Sequence, residues 1–299
     1  MRGRTAGRRG RMLFSAGLAV TLAGAPPATA LPGLPFLQLS SGARSAAMGG
    51  AAVALADPEA LYHNPAAIPL GASAAAFSHT EWIQDIRHDY VTLSRATGDR
   101  ALALGLQLSQ ATDLEFRTGP SNEALGDFGV YEGVLALGYG RAWSASTRLG
   151  AAVKLIRQSI YTESATGYAT DIGAVHEYGS ELTVAVAARN LGSMDALDRT
   201  ATKLPKALHA GFAYTGVERL LLTAEVRRIA GATTAHYGAE YRIGQRLHLR
   251  GGYQTADSRD LGFGLGIQSR SYRINYAFVP FASGLGDAHR FSLVFHPAP

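Results

Sequence analysis

From about Ala72 onward, apolar and polar residues alternate along the chain. Leu261, Phe263, Leu265 and Ile267 take turns with Gly262, Gly264, Gly266 and Gln268. Tyr272, Ile274, Tyr276 and Phe278 do the same with Arg273, Asn275 and Ala277. A period of two places successive side chains on opposite faces of a strand. Fourteen such segments are predicted, near 72–82, 86–97, 100–111, 131–142, 147–158, 168–178, 180–190, 206–215, 218–228, 235–243, 246–255, 260–268, 271–279 and 289–296. Most have the length of a tilted membrane strand, about 9–11 residues, rather than the roughly 5–6 of an ordinary one. Connections are tight after even-numbered strands, as at Gly98-Asp99 and Gly244-Gln245. After odd-numbered strands they are mostly longer, at 112–130, 159–167, 191–205, 229–234 and 280–288. This sorting is expected of an outer-membrane barrel with periplasmic short turns, and an even strand count then predicts both termini in the periplasm. Closure leaves no strand edge unpaired in hydrocarbon. The fold class is therefore all-β: a 14-stranded antiparallel transmembrane β-barrel.

Composition changes the picture at the N-terminus. Residues 1–30 carry Arg2, Arg4, Arg8, Arg9 and Arg11, then an apolar stretch from Met12 to Ala25 and the small-residue site Ala28-Thr29-Ala30. They read as a signal peptide cleaved near Ala30/Leu31, which implies export to the bacterial outer membrane. The formal charge of +5 belongs to this leader. The remainder is neutral, and a nucleic-acid partner is not indicated. Cysteine is absent and glycine abundant, at 35 residues. Residues 31–71 lack a clean period and are rich in Ala, Gly and Pro; they are expected to form a segment plugging the lumen of the barrel at 72–299. Trp82, Tyr131, Trp143, Tyr161, Tyr178 and Tyr214 fit interfacial girdles.

Within that N-terminal segment, Phe36-Leu37-Gln38-Leu39 leads to Gly42-Ala43-Arg44, Met48-Gly49-Gly50-Ala51, Asp57, Tyr62 and Asn64-Pro65-Ala66. This succession resembles the opening of the PorV/PorQ family of FadL-like outer-membrane proteins. It departs from the family pattern at Ser41, Ala47, His63 and Ala67. Gly49-Gly50 permits positive φ for a tight turn, and Asn64-Pro65 is a turn initiator. Arg44 and Asp57 are the sole charges between Leu31 and Pro58. Buried charges need partners, so these two are expected to pair with each other or with Glu225, Glu240 or Arg250. The plug or gating candidates are thus Gly42, Arg44, Met48, Gly49, Gly50, Asp57, Tyr62, Asn64 and Pro65. Asp171, Glu225, Glu240, Arg250 and Arg273 are the polar lumen candidates. The glycines at 262, 264 and 266 are expected to make room for the plug along the inner wall.

No hydrolase elbow, zinc-protease helix or Walker loop occurs, so no enzyme, cofactor or metal is expected. The motif resemblance implies an accessory of type IX-like secretion that binds secreted cargo or secretion-system subunits. The FadL-like architecture implies, alternatively, a transporter of a hydrophobic small molecule across the outer membrane. Outer-membrane lipid is an expected partner either way. So is the barrel-assembly machinery, because Arg290–Phe295 resembles its C-terminal signal.

Overall fold

A computed structural model describes residues 33–120, 123–255 and 260–297. The expected signal peptide and its cleavage position lie outside the described residues. The strands are β1 (Ala74–Glu81), β2 (Arg87–Thr97), β3 (Arg100–Phe116), β4 (Gly126–Ala142), β5 (Thr147–Ile160), β6 (Glu163–Tyr178), β7 (Leu182–Met194), β8 (Ala196–Leu197), β9 (Thr200–Ala201), β10 (Ala207–Val217), β11 (Leu220–Ile229), β12 (Ala232–Ile243), β13 (Leu247–Gln254), β14 (Leu261–Gln268), β15 (Tyr272–Pro280) and β16 (Asp287–Phe295). All but β8 and β9 join one closed antiparallel barrel of fourteen strands, sealed by β1 against β16. The β8–β9 pair is a small ribbon in the connection from β7 to β10.

The alternation sorts as its chemistry demands. Leu102, Leu104, Leu106 and Leu108 of β3 face outward, as do Leu261, Phe263, Leu265 and Ile267 of β14. The alternate positions, such as Ala101, Ala103 and Gln107, are buried inside. An apolar outer belt with paired backbone throughout suits a lipid surround. Tyr131, Trp143 and Tyr178 are exposed at its margins, while Tyr161 is exposed beyond it, in the β5–β6 turn, stacked on Phe116. Trp82 is not: it turns into the lumen, edge-on to His88 and Phe281.

Two expectations about the connections are corrected. The span 112–130 is mostly strand, since β3 and β4 pair as far as Phe116 with Gly126 around a bulge between Ala111 and Leu114. Likewise 159–167 shrinks to residues 161–162 and 229–234 to residues 230–231. Above the belt both faces meet water, so alternation fades while the backbone ladder continues. The second correction concerns the N-terminus. Ala75 pairs with Phe295 at the short-turn end, but Gly33 donates its N–H to the carbonyl of Lys203 (3.0 Å) at the opposite end. The chain from Gly33 to Ser73 therefore runs through the lumen from one mouth to the other. It does so as short turns: a 3-10 turn Pro35–Gln38, one helical turn Ala43–Ala47, and 3-10 turns Pro58–Tyr62 and Pro65–Leu70. Asp57 and Asn64 cap the last two, accepting from the N–H of Glu59 (3.3 Å) and Ala66 (3.0 Å). A proline follows each cap, where its fixed φ suits a helical start.

Candidate functional site: the lumen and its N-terminal segment

Charge holds the segment at two places. Arg44 grips Glu240 of β12 through both Nε and Nη2, each at 2.9 Å, and reaches Asp57 through Nη1 at 3.2 Å. Arg273 of β15 meets the same Asp57 oxygen at 3.0 Å, and Arg250 of β13 donates to Glu240 at 2.6 Å. The result is a continuous relay, Arg273–Asp57–Arg44–Glu240–Arg250, with two carboxylates between three guanidinium groups. The fork on Glu240 is the geometry only arginine supplies. Burial alone raises the carboxyl pKa of Asp57, but the guanidinium groups of Arg273 and then Arg44 outweigh it and hold the group below the usual carboxylate range.

The second place is Glu225 of β11. One of its oxygens accepts the backbone N–H of Ala52 (2.7 Å) and Val53 (2.9 Å). The other accepts from Arg227 (2.6 Å) and lies 2.7 Å from His209. Arg227 also donates to the carbonyl of Gly50, and His236 Nδ1 lies 2.7 Å from that of Gly49. Four of the five polar lumen candidates, Glu225, Glu240, Arg250 and Arg273, thus converge on residues 44–57. Asp171 does not. It sits in the wall at the β6–β7 bulge, paired with Lys154 (2.5 Å) and accepting from the Asn190 N–H (2.7 Å). Its link to the segment is indirect, through Arg189, which donates to the carbonyl of Leu37 at 3.3 Å.

The remaining contacts are backbone against backbone, made possible by glycine. Gly238, Gly252 and Gly262 lie in register across β12, β13 and β14. A Cβ on Gly238 would stand 2.7 Å from Met48, and one on Gly262 would stand 2.6 Å from the Ala46 carbonyl. A Cβ on Gly252 would overlap the backbone of Met48 and Gly49. Gly49 itself takes φ 63° and Gly50 φ 84°, the turn that lets Met48 lie flat on this row.

A second row, Gly140, Gly150 and Gly173, runs in register across β4, β5 and β6. It lies under Asn64 and Pro65: a Cβ on Gly140 would be 2.7 Å from the Pro65 carbonyl, and those on Gly150 and Gly173 would overlap Pro65 and Asn64. Beside it, Gly105 leaves room for Tyr62. The Tyr62 hydroxyl lies 2.7 Å from the carbonyl of Val91 and 3.0 Å from that of Leu106. Gly42 is needed for another neighbour, because its Cβ would strike the buried Glu59 carboxyl. Neither row has a signature in the amino-acid sequence. Along the chain only the glycines of β14 carry a signal, because a row across strands has no fixed spacing; Gly262 and Gly264 make room for Ala46 and Ala47 as expected, while Gly266 meets the Arg250 guanidinium of the wall instead.

Apolar side chains fill what is left. Phe36, Leu37, Leu61 and Ile68 form one buried cluster with Val134, Ile156 and Val175 of the wall. At the mouth away from the short turns, a cavity of about 30 Å³ lies between Ser40, Thr80, Trp82, Arg227 and Arg290. That holds roughly one water. Among the described residues no group of three or more His, Asp or Glu side chains is placed to hold a metal.

Tyr62→Phe tests the weight of the uncharged dock. It removes one buried hydroxyl and leaves two wall carbonyls that keep their ladder partners. A cost of about 1 kcal/mol is expected, read as a lowered Tm of the folded barrel in detergent.

The whole architecture is similar to that of solved outer-membrane channels. A monoaromatic hydrocarbon channel, CymD, superposes with a TM-score of 0.66 at 12% identity, covering 86% of this chain and 98% of that one. The toluene transporter TodX of Pseudomonas putida gives 0.60 at 14%, covering 85% and 96%. A FadL homologue of Pseudomonas aeruginosa gives 0.57 at 12%, covering 86% and 98%. No family model matches the chain, and no curated protein does. At these identities the likeness establishes the fold: a FadL-type barrel. Such a barrel, with its apolar belt, fits an outer-membrane location.

Proposed function

We propose that this protein is a gated channel for hydrophobic small molecules across the outer membrane, with residues 33–71 as its movable plug. The observation that carries this reading is how the lumen is filled. The segment threads it from mouth to mouth, leaving a cavity of about 30 Å³ at the far mouth and a pocket of about 250 Å³ at the short-turn mouth beside Val217, Leu221, Glu240 and His248. Any solute must displace the segment, and the seat is built for release. Glycine rows present backbone with no interlocking side chains, and the ion pairs gather at discrete points. The surfaces uncovered by release include the apolar cluster around Leu61 and Ile68, which suits an apolar solute over a hydrated one.

The chain has no cysteine, so a lock is simple to engineer. The Ala43 N–H donates to the Ser292 hydroxyl at 2.7 Å, which brings the two positions within disulfide reach. Cells lacking their own channel of this kind are expected to take up radiolabelled toluene or a long-chain fatty acid when they express the protein. The Ala43→Cys/Ser292→Cys variant is expected to lose uptake when oxidised and regain it on reduction. Uptake no greater than in cells without the barrel, or indifferent to the lock, would sink the proposal.

The resemblance of Gly42–Ala66 to the PorV/PorQ opening favours a second reading, a secretion accessory. That reading requires cargo or secretion-system subunits to co-purify with the barrel from native membranes.

A further inference from the structure

At the short-turn end of β2–β5, the outward face changes abruptly from apolar to cationic. Leu93, Leu102, Tyr139 and Leu149 belong to the exposed belt. The next outward positions are Arg95, Arg100 and Arg141. Arg100 and Arg141 are direct cross-strand partners. Like charges placed opposite each other destabilise a sheet, so the pair calls for an anion. One carboxylate is present: Asp99 accepts from Arg141 Nε at 3.2 Å and from Arg100 Nε at 3.4 Å. Two guanidinium groups thus share one negative charge. Both spend only Nε on it, and among the described residues their Nη atoms bond nothing. Trp143 stands beside them, 79% exposed, and a pocket of about 300 Å³ lies between Arg141, Trp143 and Leu149.

We infer that Arg100, Arg141 and Trp143 form a binding site for the phosphate headgroup of an anionic phospholipid at the membrane rim. Position and chemistry select this occupant. The site lies where the apolar belt ends, so a lipid whose acyl chains lie along Leu102 and Leu149 brings its phosphate to the arginines. Free Nη forks match phosphate oxygens, and an exposed tryptophan at this level belongs at the headgroup interface. The net charge left after Asp99 favours an anionic lipid over a zwitterionic one. This inference does not depend on what the lumen carries.

The chain has two tryptophans, and one of them, Trp82, is in the lumen. In a Trp82→Phe background, Trp143 therefore reports alone on the lipid beside it. The full protein is folded into phosphatidylcholine vesicles containing brominated phosphatidylglycerol or, at equal mole fraction, brominated phosphatidylcholine. The expected result is preferential quenching by phosphatidylglycerol, corresponding to a relative affinity of about fivefold for one net charge. Arg100→Gln/Arg141→Gln is expected to erase the preference, and Asp99→Asn to raise it. Asp99→Asn also serves as the deciding variant if the double substitution does not fold. Equal quenching by the two lipids, or a preference unchanged in these variants, would overturn the inference. So would loss of the preference to inorganic phosphate but not to chloride at matched ionic strength, which would mark a site for the free ion.

Discussion

Gly252→Val is expected to turn a closed barrel into a conducting one. The added side chain points into the lumen, where a Cβ alone overlaps the backbone of Met48 and Gly49. A backbone neighbour cannot rotate out of the way as a side chain tip can. The strand cannot yield either, since Gly252 is flanked in register by Gly238 and Gly262 within the closed ladder. The segment must therefore leave its seat. Overpacking costs of this kind reach about 3 kcal/mol, which shifts the population of the undocked state by roughly a hundredfold. The barrel itself is expected to remain folded, because its hydrogen-bond ladder and outer belt are untouched. The neighbouring Gly251 supplies the control, since a Cβ there meets nothing within 4 Å. Gly251→Val is expected to leave conductance at the wild-type level. Single-channel recording in planar bilayers reads both. A silent Gly252→Val barrel would mean that this row does not hold the segment in place.

Arg44→Ala is expected to loosen the same segment from the charged side. Arg44 links Asp57 on its own segment to Glu240 on the wall. Its loss leaves each carboxylate with one arginine, Arg273 and Arg250 respectively, so neither becomes an isolated buried charge. The expected cost is accordingly at the lower end for breaking a buried pair, about 3 kcal/mol. It should fall on docking rather than on barrel closure. Hydrogen exchange is the direct measurement: amides of residues 43–56 should lose protection while those of β3–β6 keep theirs. Arg44→Lys retains the charge but not the two-pronged grip on Glu240, and an intermediate loss is expected. Unchanged protection in Arg44→Ala would show that the relay is incidental to docking.

Much of the barrel was legible from local pattern. Each strand's two faces are written in its own residues, because side chains alternate with a period of two whatever the partner strand does. That placed Leu265 outside and Glu240, Arg250 and Arg273 inside. The charges of residues 31–58 pointed to Arg44 and Asp57, because a buried ion must be answered. The strand ends were less legible. Beyond the belt both faces of β3 and β4 are wet, so alternation stops marking a strand that still continues. Trp82 misled for a related reason. An aromatic near a strand end suits a girdle by position, but one residue of parity turns it into the lumen.

Sequence alone determined which residues face lipid, which face the lumen, and which short segment is unlike the rest. Only the tertiary structure decided what those residues meet. Gly140, Gly150 and Gly173 become one row, and Gly238, Gly252 and Gly262 another, because register is fixed jointly by every ladder in a closed barrel. No single strand records its neighbour's register. The same closure sends the N-terminal segment through the lumen from the far mouth and brings Glu240 to Arg44. Local pattern sets the faces of strands; closure sets distances between residues far apart in the chain, and on those distances the seat of this segment depends.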